Sequence, residues 1–158
     1  MATMSRIAIV GGGPGGLMLA RLLHRRGLSA TVFERDAHAE DRPQGGSLDL
    51  HAETGQRAMR LAGLDDAFRA EARPEHQGDR LYDPRGTLLI DRDGHGDDRP
   101  EIDRTALRRI LLDALPPGTV RWGARVAAVT PGERGGCRLA VGGEVLDFDV
   151  VVSDDGAR

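Results

Sequence analysis

The sequence contains no lysine: all 22 of its basic residues are arginine. That excludes a P-loop lysine, a Schiff-base lysine and any catalytic tyrosine–lysine pair. It has one cysteine, Cys137, so no internal disulfide, Cys-x-x-Cys redox pair or cysteine zinc site can form. Cys137 lies in the alternating run Cys137–Val141, where a small residue packed in a strand is the expected role and a nucleophile is not. No apolar run approaches the length of a membrane-spanning helix. The N-terminus enters a strand without a long apolar signal region, which points to the cytoplasm. The net charge of −3 is too small to suggest a nucleic-acid or polybasic membrane-binding surface. With 158 residues, 39% hydrophobic and 30% charged, the composition is that of one soluble globular domain with a real core.

The chain is organised around Arg6–Gly16, RIAIVGGGPGG. The apolar run Ile7–Val10 meets a glycine string that opens onto Leu17-Met18-Leu19-Ala20-Arg21-Leu22-Leu23. This predicts a buried strand, a tight turn and a helix. Gly11, Gly13 and Gly16 fit the dinucleotide fingerprint G-x-G-x-x-G. The first glycine permits the turn, the second lets the backbone approach a pyrophosphate, and the third lets helix and strand pack closely. Phosphates would sit on the helix N-terminus, where free N–H groups and the dipole favour negative charge. The next predicted strand, Ala30–Glu34, ends in an acid 18 residues after Gly16 that can accept hydrogen bonds from ribose hydroxyls. Without a ligand the same residues would be a plain strand–turn–helix with a solvated Glu34.

Gly27 reads as the cap of the first helix, and Arg35–Gln44 as a polar loop. Gly45–His51 suggests a short amphipathic edge strand, with Asp49 and His51 on one side and Leu48 and Leu50 on the other. Thr54–Leu61 and Leu64–Ala72 read as short scaffold helices broken at Gly63, and Arg80–Ile90 as a hairpin around Pro84-Arg85-Gly86. The acidic run Asp91–Asp98 is read as a solvated loop. It lacks the acid that a calcium loop needs at its twelfth position, where Ile102 stands. Glu101–Leu115 is predicted as a helix with an apolar stripe of Leu107, Ile110, Leu111, Ala114 and Leu115, stopped by Pro116-Pro117-Gly118. Arg104 and Arg108 share a face of it, as a phosphate clamp or as ordinary surface charges. Thr119–Trp122, Val126–Val129 and Cys137–Val141 suggest a small antiparallel meander, and Val145–Ser153 a last, partly buried strand. A doubly wound sheet usually has more strands than these.

The motif IVGGGPGGLMLARLL, the Phe33-Glu34-Arg35-Asp36 strand end, the segment Gly45–His51, the helix Glu101-Ile102-Asp103-Arg104-x-x-Leu107-Arg108-x-Ile110-Leu111-Leu112 and the pair Asp155-Gly156 together carry a resemblance. The sequence resembles the class A flavin-dependent aromatic monooxygenases, the para-hydroxybenzoate hydroxylase-like group. Within that group it looks most like the tetracycline-inactivating monooxygenases. The resemblance runs over essentially the whole chain but covers only the N-terminal part of such an enzyme. It implies an α/β, Rossmann-like FAD-binding fold, a parallel sheet with helices plus a small antiparallel meander. Residues 1–158 would be the N-terminal part of an FAD-binding domain, without the substrate domain or the later Gly-Asp motif.

By this resemblance FAD is the cofactor and NADPH the co-substrate. Gly11, Gly13, Pro14, Gly15 and Gly16 would hold the pyrophosphate, and Glu34 and Arg35 the adenosine half. Gly46 precedes Asp49, which matches a flavin-contacting position; Arg104 matches a helix arginine that reaches FAD. Arg42 matches a position that handles NADPH, and Asp155 lies near the pyrophosphate and the nicotinamide path. The family more often reads Gly-Ala-Asp-Gly at that last motif, whereas this chain reads Ser153-Asp154-Asp155-Gly156. An extra acid beside phosphate is unfavourable unless it points away. The resemblance implies hydroxylation of an aromatic or polyketide ring, the cofactor carrying the chemistry. No catalytic side chain and no metal ligand is assigned. The implied partners are a small aromatic substrate and a complementing C-terminal chain. The rival reading is a stand-alone or truncated nucleotide-binding module without turnover.

Overall fold

The computed structural model describes residues 6–76, 78–92, 98–132 and 135–154. The tail Met1–Ser5, most of the acidic run after Arg92 and the Asp155-Gly156 pair lie outside the described residues. In chain order the elements are β1 (Ile7–Val10), α1 (Pro14–Arg25), β2 (Ala30–Phe33), β3 (Ser47–Asp49), α2 (Gly55–Ala62) and α3 (Asp65–Glu71). There follow β4 (Asp79–Tyr82), β5 (Leu88–Arg92), β6 (Glu101–Asp103), α4 (Arg104–Asp113), β7 (Val120–Arg121), β8 (Val126–Pro131), β9 (Cys137–Val141), β10 (Glu144–Phe148) and β11 (Val150–Ser153). The chain forms two units, one of residues 1–43 and 111–158, the other of residues 44–110. None of the described helices is long and apolar enough to cross a membrane.

The first unit is built on a four-stranded sheet in the order β11-β1-β2-β7. All its pairings are parallel: Ile7 stands opposite both Val150 and Ala30, and Val32 opposite Val120. A parallel strand covered on both faces is apolar throughout, which is why IAIV carries no polar residue. Alternate side chains of β1 serve two cores. Ile9 joins Val32 and Ala20 of α1, with Leu19, Leu23 and Val120 packed around them. Ala8 joins Phe33 on the other face, against Leu139, Val141 and Phe148 of the antiparallel β8-β9-β10 meander. Phe33 and Phe148 meet edge to face with ring centroids 5.7 Å apart. Cys137 is half-buried in β9, as expected of a packed strand residue.

The structure corrects two strand assignments here. Thr119–Trp122 does not open the meander: Val120–Arg121 pairs in parallel with β2 as the sheet's edge. The run ending at Ser153 is two strands, not one. β10 finishes the meander, the chain turns at Asp149, and β11 enters the parallel sheet beside β1. Both Asp149 and Val150 donate backbone hydrogen bonds to Arg6 O, which fixes the crossing. An apolar run cannot by itself reveal that its two halves belong to different sheets.

In the second unit, β3 pairs antiparallel with β6, Leu48 opposite Ile102. This corrects the helix start: Glu101–Asp103 is extended and α4 begins at Arg104. The strand is held from both sides, since Arg73 and Glu101 also form a backbone bridge. α2 and α3 are separated by Gly63, whose φ of 71° is the left-handed conformation that glycine adopts without strain. β4 and β5 form the expected hairpin, closed by Asp83, which accepts from the Arg85 and Thr87 N–H groups at 2.8 Å each.

Candidate functional site

Three parallel strands bring their carboxyl ends side by side, because Val10 is in register with both Phe33 and Ser153. The residues that follow these ends therefore gather at one place: Gly11 after β1, Glu34 after β2, Asp154 after β11. This is the end of an open α/β sheet at which ligands bind.

The turn itself is set by close contacts. Gly11 has φ 110°, closed to other residues, and its N–H donates to Phe33 O at 2.9 Å. Gly16 is buried, and a Cβ there would overlap the Gly11 carbonyl oxygen and stand 3.2 Å from Ile9 Cγ2. The third fingerprint glycine thus permits the close approach of helix to strand. Among the described residues, the only atom within 4 Å of a notional Cβ at Gly13 is Asp154 Oδ2, at 3.7 Å. The second glycine keeps space open rather than avoiding the protein's own backbone. Pro14 occupies the first turn of α1, where its missing N–H costs nothing.

Glu34 is 5% exposed and its carboxylate faces the turn. Oε2 accepts from Gly12 N–H at 2.5 Å and Oε1 from Asp36 N–H at 2.9 Å. The solvated alternative for Glu34 is thereby excluded. Among the described residues each carboxylate oxygen accepts one such hydrogen bond, and a carboxylate oxygen can accept a second. Gly12 was not singled out in the sequence, yet it anchors this carboxylate; a Cβ on it would come within 2.8 Å of Glu34 Oε2. Arg35 is exposed beside it. Arg42 donates to Asp36 Oδ1 at 3.0 Å, and Asp36 is only 4% exposed, so this guanidinium balances a buried carboxylate.

Gly46, Asp49 and Arg104 belong to the second unit. Gly46 O accepts from Arg104 N–H at 3.1 Å, which joins the start of α4 to the loop before β3. Arg104 and Asp49 are both exposed, and Asp49 Oδ2 lies 3.4 Å from Arg99 Nη1. Arg108, expected on the same face as Arg104, is 2% exposed. It is neither a surface charge nor half of an exposed pair with Arg104. Asp155 lies outside the described residues. Its neighbour Asp154 does not point away from the helix: Oδ2 accepts from Gly16 N–H at 2.5 Å. The extra acid is visible in the sequence, but its contact with Gly16 is a feature of the fold.

The space at Gly13, the N-terminal turn of α1 and the buried acceptor Glu34 suit a dinucleotide. Backbone donors lie where a pyrophosphate would go, and a carboxylate lies where a ribose would. Among the described residues no group of three or more His, Cys, Asp or Glu is placed to hold a metal. A separate concavity lined by Arg6, Cys137, Arg138 and Asp147 lies at the amino end of β1, the wrong end of the sheet for such a ligand.

Residues 4–141 match the FAD binding domain family. The chain belongs to that family. It is 36% identical over 176 aligned residues to the monooxygenase asqM of Emericella nidulans, covering 96% of this chain and 38% of that protein. A crystal structure described as a putative FAD-containing monooxygenase of Photorhabdus luminescens superposes with a TM-score of 0.79 at 28% identity, covering 96% of this chain and 39% of the other. The tetracycline destructase Tet(55) shares the fold, with a TM-score of 0.75 at 23% identity over 99% of this chain and 39% of its own. The chain thus spans about two-fifths of the length of these relatives.

Proposed function

We propose that the chain holds FAD for an NADPH-dependent monooxygenase that hydroxylates an aromatic or tetracycline-like polyketide substrate. The observation that carries the reading is the gathering of the Gly11–Gly16 turn and the buried Glu34 carboxylate at the carboxyl ends of β1 and β2. The first-turn N–H groups of α1 would hold the pyrophosphate, and Glu34 the adenosine ribose, with Arg35 beside it. Asp49 and Arg104 would serve the flavin half, and Asp155 the pyrophosphate and nicotinamide path. Arg42 would contribute to NADPH handling, with Asp36 keeping its guanidinium in place. When bound, FAD would supply electron transfer from NADPH and the activation of oxygen. This chain's residues bind and orient the cofactor; none is assigned a proton-transfer step. The substrate class rests on the motif resemblance to the tetracycline-inactivating group. A C-terminal chain carrying the substrate site, in the cytoplasm, completes the proposal.

The test is a visible spectrum of the purified protein, then FAD titration by flavin fluorescence and NADPH oxidation with candidate phenolic substrates. A yellow protein, or saturable binding that Gly13→Val abolishes, supports the assignment. Saturable binding without NADPH oxidation, even with a complementing chain, would favour a nucleotide-binding module without turnover. Binding that survives Gly13→Val would overturn the placement of the pyrophosphate.

A further inference from the structure

The end of β11 places a negative charge of the protein's own at the start of α1. Asp154 N–H donates to Val10 O at 2.7 Å, which ties the residue after β11 to the end of β1. From there its side chain covers the first turn of the helix. Oδ2 accepts from Gly16 N–H at 2.5 Å, and a Cβ placed on Gly15 would meet Oδ2 at 2.9 Å and Oδ1 at 3.0 Å. Among the described residues the same oxygen is the one atom within 4 Å of a notional Cβ on Gly13. Within its own first turn α1 has no anion to use. Its N-cap, Gly13, has no side chain, its first helical residue is proline, and its first turn holds no acid. The helix N-terminus, with its positive dipole end and unpaired N–H groups, is therefore served by a carboxylate from 138 residues away in the chain.

We propose that Asp154 is a built-in competitor for the cofactor's pyrophosphate. In the ligand-free chain its carboxylate occupies the anion position at the start of α1, and FAD must displace it to bind. The inference rests on the FAD reading above. A carboxylate and a phosphate oxygen compete for the same backbone donor, and two negative charges in contact repel, an effect that solvent moderates at the exposed Asp154. Part of the cofactor's binding energy is spent on moving Asp154, so affinity is held below what the glycine turn alone would give. The same contact stabilises the ligand-free helix. Removing the charge therefore moves two observables in opposite directions, which a purely structural cap would not do.

The experiment measures FAD affinity by fluorescence and ligand-free melting temperature for the full chain, Asp154→Asn, Asp154→Ala and Gly13→Val. Asp154→Asn keeps the shape and guards against a folding failure in the alanine variant. The expected result is FAD binding about tenfold tighter or more in both Asp154 variants, with a lower ligand-free melting temperature. Tight binding by the variants where the parent chain binds too weakly to detect gives the same support. Saturable binding by the parent chain with equal or weaker binding by both variants would overturn the inference and leave the FAD reading standing. No saturable binding by the parent chain or by either Asp154 variant would overturn the FAD reading, and the inference with it.

Discussion

Replacing Gly16 by alanine separates the structural part of the glycine turn from the ligand-holding part. The new Cβ would overlap Gly11 O, with Ile9 Cγ2 at 3.2 Å and Asp154 Oδ2 at 3.3 Å. Neither wall of this gap yields easily. Gly11 is anchored by its N–H to Phe33 O at 2.9 Å, and Ile9 is fully buried in the strand next to β11 and β2. The helix must therefore back away from the strand. Overpacking of this kind costs about 1–3 kcal/mol, and more where backbone has to move. Stretching the charge-assisted bond from Gly16 N–H to Asp154 removes part of a further ~1.5–3 kcal/mol. Alanine's better helix propensity returns at most about 1 kcal/mol. The net expectation is a loss of about 2–4 kcal/mol, out of a total of roughly 5–15 kcal/mol. In a chain of this size it appears as a melting temperature lower by about 5–15 °C. Gly13→Ala is the control, because its Cβ finds nothing closer than 3.7 Å among the described residues and its φ of −76° suits any residue. It should stay within about 1 kcal/mol of the parent. Thermal and urea denaturation of the three proteins decide the matter. A Gly16→Ala protein as stable as the parent, or a Gly13→Ala protein equally damaged, would refute this account of the turn.

Glu34→Ala should weaken FAD binding by about 1–3 kcal/mol, read by titration, and should also destabilise the ligand-free chain, because the Gly12 and Asp36 N–H groups lose a buried acceptor. Unchanged affinity would remove Glu34 from the ribose site. Phe148→Leu keeps an apolar side chain but loses the edge-to-face pair with Phe33 and the Arg6 guanidinium 5.1 Å above the ring, so urea denaturation should show a loss of about 1–2 kcal/mol. The Asp103 carboxyl is held below its ordinary range, first by hydrogen bonds from Arg73 at 2.9 and 3.0 Å. Its contribution is therefore present above the unfolded carboxyl range and is lost as pH falls through the lower folded value. Asp103→Asn should flatten the acid side of the stability–pH curve and leave its shape near neutrality unchanged.

The glycine turn and its flanking strand and helix were legible because each constraint is local. A glycine needed for φ 110° or for contact between helix and strand is encoded in the residue that makes it. The acid ending β2 was legible for the same reason, its place following from the length of one βαβ unit. What the sequence concealed was long-range. Val150-Val151-Val152 looks the same whether it extends the meander or joins β1, and only the pairing with Ile7–Ile9 distinguishes them. Glu101-Ile102-Asp103 is compatible with a helix, but β3 and Arg73 provide backbone partners that hold it extended. Arg108 fits the polar face of an isolated helix and is buried by what surrounds it. Asp154 was visible as an unusual acid, while its bond to Gly16 depends on β11 returning beside β1.

That return gives the chain an order of events during synthesis. β1, α1 and β2, with the turn that carries every fingerprint glycine, emerge before β11, so β1 lacks its neighbour on one side until residues 150–153 arrive. Throughout that interval Ile7–Val10 presents an unpaired apolar edge, the kind of surface that recruits wrong partners. Contacts between residues so far apart in sequence form slowly. The glycine turn is thus read well before the strand that completes its sheet, and a nascent chain stalled before Val150 would carry the full motif without the β11 pairing that flanks it.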